Sequence, residues 1–166
     1  MVRRFRGEGT QKVDAKGRVS IPASYRAVLR DGDPSWSEGK LPEFIIVYGD
    51  ERRDFLECFT IDAANEVDDK IARLPRGTAK RRAMEQLFNG QSVDATVDDT
   101  GRIVLPAKLR DKIKIDGEAY FIAMGDTFQI WKPEAFDAAE SDVDELLDSM
   151  PQGADIWTLL ENGEGE

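Results

Sequence analysis

Residues 13–29 read VDAKGRVSIPASYRAVL and residues 97–113 read VDDTGRIVLPAKLRDKI. The two align without a gap, with Val, Asp, Gly, Arg, Pro, Ala and a second Arg at the same places. Val19/Ile103, Ile21/Leu105 and Leu29/Ile113 are conservative exchanges on top of those identities. A repeat at a fixed offset is read before any other feature, because it sets the architecture. Two copies are too few for a solenoid. They suit two related halves about a pseudo-two-fold axis, like a homodimer fused into one chain.

Each copy parses the same way. A strand ends near Val13 or Val97, and Asp-x-x-Gly makes a tight turn. Asp accepts hydrogen bonds from backbone two residues on, and Gly supplies the positive φ that such a turn needs. A second strand leaves as Arg18-Val19-Ser20-Ile21 or Arg102-Ile103-Val104-Leu105. Alternation sends Val19 and Ile21 to one face and Arg18 and Ser20 to the other. Pro22 or Pro106 follows, suited to the first helical position because its missing N–H has no partner there anyway. The short helix after it carries Tyr25, Val28 and Leu29 on one face. The second copy keeps Leu109 and Ile113 but has Lys112 in place of Val28, which predicts a less buried helix.

The hairpin tips thus carry Asp and Arg four residues apart, twice. One reading is structural: Asp14–Arg18 and Asp98–Arg102 are exposed ion pairs pinning their own turns, a weak kind of interaction. A single copy needs nothing more. Many residue pairs close a turn, however, so an exposed Arg repeated at both tips points to a surface used twice. Guanidinium is the side chain best matched to phosphate and to the O6/N7 edge of guanine.

The opening Phe5-Arg6-Gly7-Glu8, leading into Asp14, Lys16, Gly17, Arg18, Ile21 and Pro22, resembles the MraZ family of bacterial regulators. The second copy, DDTGRIVLP, is similar to that family's second D-x-x-x-R element, and the pair resembles the SpoVT–AbrB superfamily. The likeness covers the chain from Phe5 to about Phe136. It implies an α+β fold: two tandem AbrB-like swapped-hairpin β-barrel halves with pseudo-two-fold symmetry, linked and flanked by helices. The implied domains are a first SpoVT–AbrB domain (8–54), a helical linker (62–90), a second SpoVT–AbrB domain (91–134) and a C-terminal helix with an acidic tail (135–166). It further implies a sequence-specific, DNA-binding transcriptional regulator, a repressor of its own division and cell-wall gene cluster. Its partners are double-stranded DNA with repeated promoter boxes and further copies of itself in a ring. The implied DNA-binding positions are Asp14, Lys16, Gly17 and Arg18, then Asp98, Gly101 and Arg102. Thr100 stands where the first copy has Lys16, so the N-terminal tip is the more basic and the better candidate for DNA contact.

Net charge is −10, opposite to the basic footprint usual for nucleic-acid binders. Its distribution answers part of the objection. Residues 1–30 hold eight basic side chains, Arg3, Arg4, Arg6, Lys12, Lys16, Arg18, Arg26 and Arg30, against Glu8 and Asp14, a local balance of +6. Residues 133–166 hold eleven acidic groups and no Lys or Arg. Solubility explains the acidic end well and the basic start poorly. Arg3, Arg4, Arg6 and Lys16 are therefore expected to contact phosphates, with Arg18 and Arg102 reading bases.

The rest of the chain narrows the alternatives. No apolar run approaches the ~18 residues of a membrane span, and the start lacks the apolar core of a signal peptide. Without His and with Cys58 alone, a His/Cys zinc site is excluded within one chain, and Cys58 reads as a buried strand residue. A cytoplasmic, nucleoid-associated protein without cofactor or small-molecule substrate is expected. Catalysis by paired carboxylates such as Asp98 and Asp99 is disfavoured. Adjacent strand or turn residues point apart, and no His base, nucleophile or phosphate-loop motif accompanies them. The other alternative is an AbrB-like antitoxin or protein-interaction module whose acidic tail binds a basic partner.

Between the copies, 41–48 reads as a core strand, 50–54 as a charged turn and 55–60 as the returning strand. Residues 121–124 and 128–131, joined by Gly125-Asp126-Thr127, are their counterparts. Residues 31–40 read as a loop in which Trp36 packs rather than stacks on bases. Asp62 is the expected cap of a helix Ala63–Leu74, and Gly77 or Thr78 that of a second helix to Phe88. Arg76, Lys80, Arg81 and Arg82 form a second basic cluster, readable as a solvated face, an inter-subunit ion-pair surface or a secondary phosphate contact. The family resemblance favours the subunit contact. A last helix is expected from Glu134 to about Leu147. After it the apolar knot 156–160 is expected to dock on the body or a neighbour, within an otherwise unstructured tail.

Overall fold

The repeat becomes two hairpin tips joined by one short antiparallel ribbon, one tip at each end of it. The computed structural model describes residues 3–139 and 141–161. Residues 1–2, 140 and 162–166, the last being the end of the acidic tail expected to be unstructured, lie outside the described set. In the first half, β1 (Glu8–Lys12) and β2 (Arg18–Ser20) flank the first tip, and α1 (Ala23–Asp31) follows. Then β3 (Glu43–Val47) and β4 (Phe55–Thr60) form a hairpin. The second half repeats the order with β5 (Ser92–Thr96), β6 (Arg102–Val104), α4 (Ala107–Lys112), β7 (Glu118–Ala123) and β8 (Thr127–Trp131). Between the halves run α2 (Ile61–Ala72) and α3 (Ala79–Met84), the latter continuing as a π-helical segment Glu85–Gly90.

The halves are interleaved. β1 pairs with β7 of the other half, and β5 pairs with β3 of the first. β4 lies against β8, giving a six-stranded antiparallel sheet of order β1-β7-β8-β4-β3-β5. β2 and β6 form a separate two-stranded ribbon, with Val19 opposite Ile103. The α+β class and the antiparallel pairing agree with expectation. Among the described residues the strands do not close into a barrel, since six strands form one sheet and two the other.

One core cluster draws on both repeats. Val19, Ile21, Tyr25, Val28 and Leu29 from the first meet Ile103, Leu105, Leu109 and Ile113 from the second, with Phe44, Phe121 and Phe128 from the large sheet. Tyr25 lies 4.8 Å from Phe128 between ring centroids, and its hydroxyl donates to the Gly7 carbonyl, so its polar end is satisfied. Cys58 is buried in β4, as the sequence indicated. A smaller cluster of Val47, Phe59, Ala63, Ala64, Ile71 and Phe88 seats α2 and the π segment.

Several local expectations shift, each for a visible reason. Pro22 and Pro106 occupy the cap position with extended ψ, one residue before the helix, because Ile21 and Leu105 are still held in cross-half backbone bonds. Thr60, not Asp62, caps α2, accepting from the Ala63 N–H through Oγ1 at 3.0 Å. Thr78 caps α3 by the same device. The expected helix from Glu134 to Leu147 is broken into α5 (Pro133–Ala138) and α6 (Asp142–Ser149), because Ser141 caps a new start by accepting from the Val143 N–H. Trp36 staples its own loop, donating from Nε1 to the Lys40 carbonyl.

The chain divides after Phe136 into two compact units. Phe136 itself closes the first, with its ring 4.5 Å from Tyr120 and 5.4 Å from Trp131. The second holds α6 and a 3₁₀ turn Ile156–Leu160, capped by Asp155. Within this unit the apolar residues 156–160 form that turn, with Trp157 at 67% and Leu160 at 74% exposure. Among the described residues, no helix is long and apolar enough to cross a membrane.

Candidate nucleic-acid interface

Each tip is built around its aspartate. Asp14 Oδ1 accepts from the backbone N–H of Lys16 at 3.0 Å and of Arg18 at 2.9 Å, while Oδ2 takes Arg18 Nε at 2.7 Å. The backbone closes the same turn, with Gly17 N–H on the Asp14 carbonyl and Asp14 N–H on the Arg18 carbonyl. Asp98 repeats the pattern: Oδ1 accepts from the Thr100 and Arg102 N–H groups, each at 2.9 Å. Gly17 and Gly101 take φ of +85° and +83°, the left-handed conformation that the turn requires.

The two tips differ in how the arginine is held. Arg18 is gripped directly by its aspartate. Arg102 Nε instead donates to the Thr100 hydroxyl at 3.0 Å, which donates to Asp98 Oδ1 at 2.7 Å. Arg102 lies 3.5 Å from Asp98 Oδ2. Thr100, noted in the sequence as a departure from Lys16, therefore serves as a spacer between acid and base. The Arg18 N–H, foremost, and its guanidinium hold the Asp14 carboxyl below the usual carboxylate range. Asp98 is pulled down to about 2, first by the Arg102 N–H and then by the Thr100 hydroxyl. Both acids are charged at neutral pH and orient their arginines. The turn-closing reading of the pair is thus seen directly in the geometry.

Arg18 and Arg102 share a face. In the ribbon Arg18 pairs with Val104 and Ser20 with Arg102. With Val19 and Ile103 turned into the core, alternation puts Arg18, Ser20, Arg102 and Val104 together on the outer side. The two residues are diagonal in the register there, each side chain about two-fifths exposed. Among the described residues, the Nη groups of Arg18 and Arg102 donate to nothing. Val104 is 53% exposed between them. Lys16 is exposed at the first tip.

The remaining basic residues are not part of this cluster. Arg3, Arg4 and Arg6 sit at the other end of β1, where Phe5 N–H bonds the Gly125 carbonyl. The strand alone puts about 17 Å between them and the first tip. Arg3 pairs with Asp31 at 3.1 Å, and with Arg4 it lines a cleft with Asp31, Asp62 and Asp126. In the second basic cluster, Arg81 donates to the Leu74 carbonyl at 2.8 Å and pairs with Glu85, which ties α3 to the end of α2. Arg82 donates to the Gly77 carbonyl. Arg76 and Lys80 are exposed.

Two residues beside the tips escaped functional notice in the sequence, although the repeat displayed them. They are the second shared arginines, Arg26 on α1 and Arg110 on α4, each lying over the tip glycine of the opposite half. Their identity in both copies was the available signal. Among the described residues no cluster of metal-ligating side chains occurs.

A family model described as "MraZ protein, putative antitoxin-like" matches residues 88–152, which include the second tip. A protein of Ruegeria sp. (strain TM1040) named "Transcriptional regulator MraZ" is 57% identical over 166 residues, covering 99% of both chains. One of the same name from Ruegeria pomeroyi is 55% identical over 99% of both, and one from Cereibacter sphaeroides is 42% identical over 97% of this chain and 98% of its own.

Proposed function

This chain belongs to the MraZ family, and on that premise we propose that it is a transcriptional regulator that reads DNA through the β2–β6 ribbon. The supporting observation is the outer face of that ribbon, where Arg18 and Arg102 occupy diagonal positions and, among the described residues, leave their Nη groups unpaired. A two-stranded β-ribbon fits the major groove, and each bidentate arginine–guanine contact discriminates by about 1–3 kcal/mol. Asp14, Gly17, Asp98 and Gly101 shape the tips, and Lys16 adds a phosphate contact. Arg4 and Arg6, at the far end of β1, suit phosphates flanking the bases read, whereas Arg3 must first leave Asp31.

In the finer reading the sequence suggested, the interleaved strands are the swapped hairpins of two tandem AbrB-like domains, 8–54 and 91–134. The helical linker 62–90 joins them, and 135–166 follows. The protein represses its own division and cell-wall gene cluster in the nucleoid, as a ring of copies bound to repeated boxes. Several weak ribbons on adjacent boxes raise affinity by about 10²–10⁴ through avidity, which offsets the modest basic surface of one acidic chain. A protein-interaction role finds support in the acidic second unit, whose Val143, Trp157 and Leu160 are exposed. It is compatible with DNA binding by the first unit.

Fluorescence anisotropy over several salt concentrations tests the reading, with the DNA upstream of the chain's own gene and a scrambled duplex. Selective binding to the native fragment, lost in Arg18→Ala with the melting temperature retained, is expected. Equal, feeble binding to both fragments would overturn it.

A further inference from the structure

Arg110 and Arg26 each reach from a helix of one half to the tip of the other. Arg110 lays its guanidinium over Gly17, where a Cβ would stand 2.9 Å from Nε and 2.3 Å from the Leu105 carbonyl oxygen. Its Nε donates to that Leu105 oxygen at 2.8 Å, and its Nη1 to the Ala15 oxygen of the first tip at 3.4 Å. The Leu105 N–H in turn donates to the Gly17 oxygen at 2.8 Å. Arg110, Leu105 and the first tip thus form a closed hydrogen-bonded ring across the boundary between halves.

The symmetry-related side is incomplete. Arg26 covers Gly101, with Nη1 2.6 Å from where a Cβ would be, and the Ile21 N–H donates to the Gly101 oxygen at 3.1 Å. Yet Arg26 Nε is buried with no hydrogen-bond partner among the described residues. A buried donor left unpaired costs free energy, and among the described residues Arg26 supplies no side-chain bond of the kind Arg110 makes.

We propose that Arg110 is a positioning residue for Arg18, holding the first DNA-facing tip from the opposite half, while Arg26 does not brace the second tip in the same way. The inference rests on reading the tips as DNA-contacting elements. It divides the labour on one ribbon: Arg18 stands on a tip fixed before binding, so less order is lost when it meets a base, whereas Arg102 stands on an adjustable one. The brace uses donors at two separate points of one rigid side chain, Nε on the Leu105 oxygen and Nη1 on the Ala15 oxygen, whereas a lysine carries its donors only at the end of the stem. Arg110→Lys therefore keeps the charge and the aliphatic stem but breaks the brace. A direct phosphate contact, by contrast, would survive that exchange.

Two readouts on the full chain decide the matter, with Arg110→Gln run beside Arg110→Lys so that a fold lost in one variant leaves the other. The first is amide hydrogen exchange without DNA. Arg110→Lys is expected to speed exchange at Gly17, Arg18 and Leu105 by roughly tenfold and to leave Gly101 and Arg102 unchanged, while Arg26→Lys accelerates neither tip. The second is affinity for the native upstream duplex. Arg110→Lys is expected to weaken it roughly tenfold in the wild-type and Arg102→Ala backgrounds, add little to Arg18→Ala, and leave scrambled-duplex binding unchanged. Exchange unaltered at the first tip, or accelerated equally at both, overturns the proposal. So does an equal loss of affinity in the Arg18→Ala and Arg102→Ala backgrounds. Should the wild type fail to prefer the native duplex, the DNA reading falls, and exchange alone still decides whether Arg110 braces the tip.

Discussion

Val19 lies directly opposite Ile103, its own counterpart in the second repeat, so the pseudo-two-fold axis passes between them. Each is 1% exposed. Their outward neighbours Arg18 and Arg102 are related by the same axis, and the seam that joins the halves is therefore also the floor of the candidate interface. Ile103→Ala is expected to destabilise the fold by about 2–5 kcal/mol, as large-to-small core changes do. Chemical denaturation measures this, and a change under about 1 kcal/mol would show that the ribbon is not a structural seam.

The two tip glycines have unequal surroundings, which predicts an order of tolerance. An alanine at either position takes a positive φ costing roughly 1–2 kcal/mol. At Gly17 the new Cβ would also stand 2.3 Å from the Leu105 backbone oxygen, which cannot move without breaking the cross-half ladder. At Gly101 the obstacle is the Arg26 guanidinium, whose side chain can turn aside. Gly17→Ala should therefore lower the melting temperature more than Gly101→Ala. Equal losses would mean that φ alone sets the cost.

How much of this was legible beforehand depends on the range of the interaction. The tips, their aspartates and the strand-then-helix order were written locally, because Asp-x-x-Gly and the Val19/Ile21 alternation act within a few residues. The sharing of one core was implied by the repeat itself. Which strand pairs with which was not derivable from the residues: Glu8 faces Ile122 and Ser92 faces Val47, contacts that no local pattern encodes. The cap at Thr60 was missed because Asp62 is an equally good cap by type, and only the path of β4 into α2 decides between them. Arg3, Arg4 and Arg6 lie apart from Lys16 for a simpler reason: nearness in sequence is distance in space along an extended strand. Arg110 was visible as an identity, but its role depends on a contact with a carbonyl 95 residues away.

The tip carboxylates set a pH window. Asp98 has a folded-state value of about 2 against an ordinary 3.8. A depressed value means that its contribution to stability is complete above about pH 4 and is lost as pH falls towards 2. Asp14 and Asp50 are lowered in the same direction, Asp50 chiefly by the Arg52 side chain, so acid unfolding sums several groups. Comparing Asp98→Asn with wild type isolates one. The gap in melting temperature between the two should be constant from pH 7 to about 4 and narrow towards pH 2. A gap that widens on acidification would contradict the hydrogen-bond account of this turn.

The second unit gives an electrostatic prediction that needs no contact to be known. Residues 137–166 carry ten acidic side chains and no basic one, so a chain ending at Phe136 has its net charge raised from −10 to zero. Phe136 is retained, and with it the packing on Tyr120 and Trp131, so the melting temperature of the first unit should change little. Affinity for scrambled DNA, which depends on phosphate attraction and not on base reading, should rise several-fold at low salt. The gain should shrink near 0.15 M salt, where the Debye length is about 8 Å and distant charges are screened. Affinity for the native duplex should rise with it, since the phosphate term is common to both duplexes. An unchanged scrambled-DNA affinity at low salt would mean that these carboxylates are already neutralised, which would favour a basic protein partner for the tail.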